Sequence, residues 1–98
     1  MRASLLYFDG CPNWREADEN LRAALDRVDR TVKVEYGTIS TPEAAAAAHF
    51  VGSPTVLVDD HDPFDDGTGQ VGLSCRLYRT EHGVAGSPSV TQLLEVLR

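Results

Sequence analysis

The chain has 98 residues, 42% of them hydrophobic, which fits one small domain spanning 1–98 and excludes wholesale disorder. Nine Lys and Arg against fifteen Asp and Glu give a formal charge of −6, which argues against nucleic acid or an anionic membrane as the main partner. No apolar run approaches the roughly 18–20 residues that span a bilayer. The N-terminal stretch also lacks a signal-like apolar segment, so a cytoplasmic location is expected.

In chain order, "SLLYF" (4–8) is a short apolar run that reads as a strand buried on both faces. Asp9-Gly10 then turns the chain into Cys11-Pro12, and Pro12 suits the first turn of a helix, where its missing N–H costs nothing. Trp14, Ala17, Leu21, Leu25 and Val28 follow at helical spacing, which predicts an amphipathic helix over 12–28 with Cys11 at its N-cap. "TVKVEYGTI" (31–39) alternates as a second strand. Thr41-Pro42-Glu43 starts a helix that runs through the alanines to a stop near Gly52.

"GSPTVLVDD" (52–60) predicts a third strand, Thr55 to Val58, with Pro54 just ahead of it. The Gly-, Asp- and Pro-rich stretch 61–72 is a loop. "LSCRLYRT" (73–80) alternates as a fourth strand, "EHGVAG" turns the chain, and Ser87-Pro88 opens a last helix with Val90, Leu93, Leu94 and Leu97 on one face. The order is β-α-β-α-β-β-α, and the crossover rule makes the first two strands parallel.

That order, with Cys11-Pro12 at the first strand–helix corner and Ser53-Pro54-Thr55 entering the third strand, resembles the thioredoxin-like superfamily. The resemblance covers essentially the whole chain, less the N-terminal strand and helix that full thioredoxins carry. "CPNW" looks like the glutaredoxin Cys-Pro-x-x corner. More narrowly, "LLYFDGCPNW", "GSPTVLVD" and "GLSCRLYRT" are similar to small bacterial thioredoxin-family proteins, some labelled alkylmercury lyase. The resemblance implies an α/β fold: a four-stranded mixed sheet with helices on both faces. It also implies a cis Pro54 beside the reactive cysteine, and no cofactor. A cis bond before proline costs only about 0.5–1 kcal/mol, and it would leave a backbone edge open to an extended substrate.

Cys11 is the catalytic candidate. Free N–H groups and the positive dipole end at a helix start favour a thiolate, Asp9 and Glu16 oppose it, and a modest net depression of the pKa is expected. Pro12, Asn13 and Trp14 on one side and Ser53, Pro54 and Thr55 on the other would shape the substrate groove. Trp14 stands where dithiol thioredoxins carry their second cysteine, and an indole cannot attack sulfur. Cys75 is the remaining thiol, and in a reducing compartment neither cysteine is expected to be paired.

If the last two strands run antiparallel, four or five residues of about 3.3 Å each separate Cys75 from the level of Cys11. A disulfide needs Cα atoms within about 7 Å. Alternation with Leu73 and Leu77 then reads Cys75 as core, while a role as second thiol stays open.

Other features read as structural. The acidic loop fails the EF-hand pattern, because Phe64 and Leu73 fall at ligand positions. His49, His61 and His82 lack metal-ligand spacing, so no metal site is expected. Arg76 and Arg79 could meet an anion but read better as a solvated or acid-paired face, and Tyr7 reads as a buried strand aromatic.

The leading functional expectation is a monothiol redox protein, acting on a protein or low-molecular-weight thiol or disulfide and completed by an external thiol. The alternatives are a binding module for a protein partner or a soft metal ion such as mercury, and a structural domain with a vestigial cysteine.

Overall fold

The computed structural model describes residues 1–67 and 69–98; Thr68, inside the expected loop, lies outside the described residues. The elements are β1 (Ala3–Tyr7), α1 (Trp14–Val28), β2 (Val34–Thr38), α2 (Pro42–Ala47), β3 (Thr55–Val58), β4 (Tyr78–Thr80), β5 (Gly83–Ala85) and α3 (Val90–Leu97). β1 is the central strand of a three-stranded mixed sheet, order β2-β1-β3. It runs parallel to β2, with Leu5 opposite Tyr36, and antiparallel to β3, with Leu5 opposite Val56. The parallel pair is what a helical crossover produces.

Strand alternation sends successive β1 side chains to opposite faces. Ala3 and Leu5, with Val56, join Ala17, Leu21, Ala24 and Leu25 of α1 and Leu93, Leu94 and Leu97 of α3 in one apolar cluster. Leu6 and Phe8 lie against a second cluster on the other face, built from Ile39, Ala45 and Phe50. Each fully buried leucine contributes about 1.5–3 kcal/mol, so the five buried leucines that α1 and α3 bring to this face (Leu21, Leu25, Leu93, Leu94 and Leu97), with Ala17 and Ala24 allowing close approach, account for how firmly α1 and α3 are held. The sheet therefore has helices on both faces.

Two helix boundaries differ from the sequence reading. α2 stops at Ala47, well short of Gly52, because His49 takes a left-handed conformation (φ 50°). Phe50 N–H then donates to Ala45 O (2.8 Å) and His49 N–H to Ala46 O (3.2 Å), the paired bonds of a Schellman ending that glycine usually supplies. α3 is capped by Ser89, not Ser87, in a reciprocal capping box with Gln92.

The larger correction concerns the fourth strand. Residues 73–77 form no strand beside β3; β4 begins only at Tyr78 and pairs with β5 in a separate two-stranded sheet. The stretch "EHGVAG", read as a turn, supplies that partner strand. Gly83 at φ 107° allows the tight reversal, and the Thr80 hydroxyl braces it by donating to Gly83 O and accepting from His82 N–H. No helix among the described residues is long and apolar enough to cross a membrane.

Candidate functional site

Beyond the end of β1 the chain makes a β-turn over Phe8-Asp9-Gly10-Cys11, closed by Cys11 N–H donating to Phe8 O (3.2 Å). Gly10 sits at the third position with φ 89°, the conformation a type II turn demands there. The turn shifts the helix start. α1 begins at Trp14 with Asn13 at the N-cap, so Cys11 lies two residues ahead of the cap and is not the N-cap itself. Pro12 fits such a lead-in turn as well as a first helical turn, which is why the sequence places the start early. Asn13 makes no side-chain capping bond. Its amide is held against Gly86, where an added Cβ would fall 2.3 Å from Nδ2. Cys11 is 5% exposed yet belongs to neither apolar cluster.

The Ser53–Pro54 loop meets this turn through the same residue. Phe8 N–H donates to Ser53 Oγ (3.4 Å), two register steps beyond the last β1–β3 pair, Leu6 and Thr55. The Ser53–Pro54 peptide is cis. Ser53, Pro54 and Thr55 are all buried. The backbone edge expected to lie open is filled by the chain itself. Ser53 N–H donates to Ser74 O (2.8 Å) and Ser53 O accepts from Arg76 N–H (2.9 Å), which places Cys75 opposite Ser53 in a parallel bridge. Cys75 is exposed, not core, because the segment carrying it crosses the end of the sheet instead of lying within it. Both cysteines are free thiols.

The other expected groove residues form the rim. Pro12 is exposed, and Asn13 and Trp14 are half-buried. Trp14 stacks on Tyr7 with ring centroids 4.3 Å apart and carries the Arg15 guanidinium 5.3 Å above its ring. A hollow of about 290 Å³ beside the Cys11 turn is lined by Phe8, Asp9, Ile39, Ser40 and Leu73.

What anchors the 74–76 segment was not legible in the sequence. Arg76 turns inward, and its Nη1 lies 2.6 Å from Asp62 Oδ2 and 3.2 Å from Thr55 Oγ1. Both charged side chains are about nine-tenths buried, at 9% and 10% exposure. The Arg76 guanidinium also lies 4.8 Å over the Tyr78 ring, and the Tyr78 hydroxyl donates to Pro54 O. Arg76 therefore holds the segment to the Pro54 loop, whereas Arg79 is exposed. The one signal was a loop aspartate preceding a strand-like arginine, a pattern too common to single out.

Burial pushes the Tyr78 hydroxyl well above its ordinary value of 10, with Asp62 adding to the rise and Arg76 opposing it. A folded-state pKa above the unfolded one means that the native state keeps its proton longer. The stabilisation is complete below the unfolded pKa and is lost as pH rises through the folded one, at about 1.4 kcal/mol per pH unit in between. Urea unfolding at pH about 9 and about 11 should therefore show wild type losing more stability than Tyr78→Phe; equal losses would remove Tyr78 as the cause.

Among the described residues no group of three or more His, Cys, Asp and Glu could hold a metal ion. Compared with known proteins, the chain matches no family model, no curated protein and no solved structure.

Proposed function

We propose that this chain is a thioredoxin-like thiol protein in which Cys11 carries out thiol–disulfide exchange, with electrons supplied by an external thiol. One observation carries the reading: the Phe8 main chain is bonded both to Cys11 and to Ser53, so a thiol-bearing turn and a buried proline loop meet at one end of the central strand. The start of α1, whose cap Asn13 lies two residues after Cys11 and makes no side-chain capping bond, supports it. The hollow lined by Phe8 and Asp9 of the same turn supplies apolar wall for a substrate group.

In the exchange, the Cys11 thiolate attacks one sulfur of a disulfide. A new sulfur–sulfur bond forms at Cys11, the substrate's second sulfur leaves as thiolate, and an incoming thiol later releases the first. Trp14 supplies no sulfur, so α1 alone cannot complete the cycle.

Cys11→Ser should reduce the rate of glutathione-dependent cleavage of a small disulfide such as hydroxyethyl disulfide to the background measured without protein. Its far-UV circular dichroism should match wild type. Turnover retained in that variant would end the proposal.

A further inference from the structure

We infer that Cys75 is the resolving thiol for Cys11, presented to it by the protein's own segment in the place of a substrate strand. The inference rests on the exchange reading of Cys11 and deepens it.

Ser53 is the residue through which the proline loop would pair with an extended peptide. Its N–H and C=O are both taken by Ser74 and Arg76. The residue between them, held opposite Ser53, is a cysteine. Partners in a parallel bridge lie about 4.8 Å apart and project their side chains to the same face. The Ser53 side chain is the one that accepts from Phe8 N–H, and Phe8 O accepts from Cys11 N–H. One hydrogen-bonded row, Cys75–Ser53–Phe8, thus ends at the turn that carries Cys11.

Burial divides the roles. Cys11 is buried and fixed by its turn, whereas Cys75 is exposed on a segment outside any helix or strand. The first suits a positioned attacking thiol, and the second a thiol presented at the surface to resolve it. The expectation that Cys75 lay too far away assumed a fourth strand in the main sheet, and that strand is not there.

The chemistry balances without a further oxidant. Cys11 thiolate attacks a disulfide RSSR, forming a Cys11–SR mixed disulfide and releasing one RS⁻. Cys75 then gives up its proton to solvent and attacks the Cys11 sulfur. A Cys11–Cys75 disulfide forms and the second RS⁻ leaves. The substrate disulfide gains two electrons and the protein's two thiols lose them; an external thiol restores the protein.

Oxidised glutathione is the probe, with acid quench, alkylation and intact-mass readout on the full chain. Wild type should pass to a form lighter by a pair of hydrogens, with both cysteines protected from alkylation and no lasting adduct. Cys75→Ser, a near-isosteric change at an exposed position, should stop at a single glutathionyl adduct on Cys11. Release of that adduct should depend on added reduced glutathione in Cys75→Ser and be independent of it in wild type. A lasting adduct on Cys11 in wild type, released no faster than in Cys75→Ser, would overturn the role of Cys75 while leaving exchange at Cys11 intact. No adduct on Cys11 in either protein would overturn both readings.

Discussion

Asp62→Ala should cost about 3–5 kcal/mol of stability, because it strands the Arg76 guanidinium in a site about nine-tenths closed to water. Burial by itself pulls the Arg76 pKa down; the hydrogen bond with Asp62 and the charges of Tyr78, Asp62 and Asp65 more than reverse it, so the group rises on balance and stays charged. Removing Asp62 removes the hydrogen-bond partner that makes burial of that charge tolerable. It also removes the acceptor for Phe64 N–H (3.0 Å), which holds the start of the acidic loop.

Urea unfolding measures the loss, and a second variant separates charge from packing. Asp62→Ala combined with Arg76→Met, which keeps an unbranched apolar side chain in the site, should recover most of the lost stability. A cost below about 1 kcal/mol for Asp62→Ala, the range of a surface pair, would mean that the ion pair does not anchor this segment. The effect extends to the candidate site: with Arg76 unpaired, hydrogen exchange at the Ser53 and Arg76 amides, which hold Cys75 in place, should accelerate.

Features encoded by short-range chemistry were legible in the sequence. The buried face of α1, the Thr41 cap with Pro42 behind it and the four residues of β3 each announce themselves within a few positions. The candidate turn was legible as well, because Gly10 and Cys11-Pro12 stand together at a change of periodicity. What failed depended on distant partners. Alternation in 73–80 holds only from residue 76 on, and in the opposite phase: Arg76 and Tyr78 turn inward while Leu77 is left 71% exposed, and 73–75 are all exposed. Alternation alone does not say which neighbour a segment pairs with. Here the neighbour was Ser53 for one residue and β5 for three. Cys75 followed the same logic: placed as core by its spacing, it is exposed because its segment crosses the sheet end. The start of α1 shifted because its first helical bond runs from Ala17 N–H to Asn13 O, two residues past Cys11, which belongs to the preceding Phe8–Cys11 turn.

Phe50→Ala should be as damaging as the loss of Asp62, through a different mechanism. Phe50 is fully buried at the centre of the smaller apolar cluster, against Ile39, Ala45, Leu6 and Phe8. Truncating a buried phenylalanine costs about 3–5 kcal/mol, a large share of the roughly 5–15 kcal/mol that holds a small domain folded. For a chain of this length the melting temperature should fall by roughly 15 °C or more. Phe50→Leu, which keeps most of the volume, should lose far less. The same cavity lies directly beneath the candidate site, because Phe8 leans on this cluster while its main chain bonds both Cys11 and Ser53. Loosening Phe8 should open the turn and expose a thiol that is 5% accessible in the native state. Alkylation of Cys11 by iodoacetamide should therefore be faster in Phe50→Ala than in wild type under conditions where both are folded, with Cys75 reacting at an unchanged rate as the internal reference. Equal Cys11 rates in the two proteins would show that this cluster supports the fold without positioning the thiol.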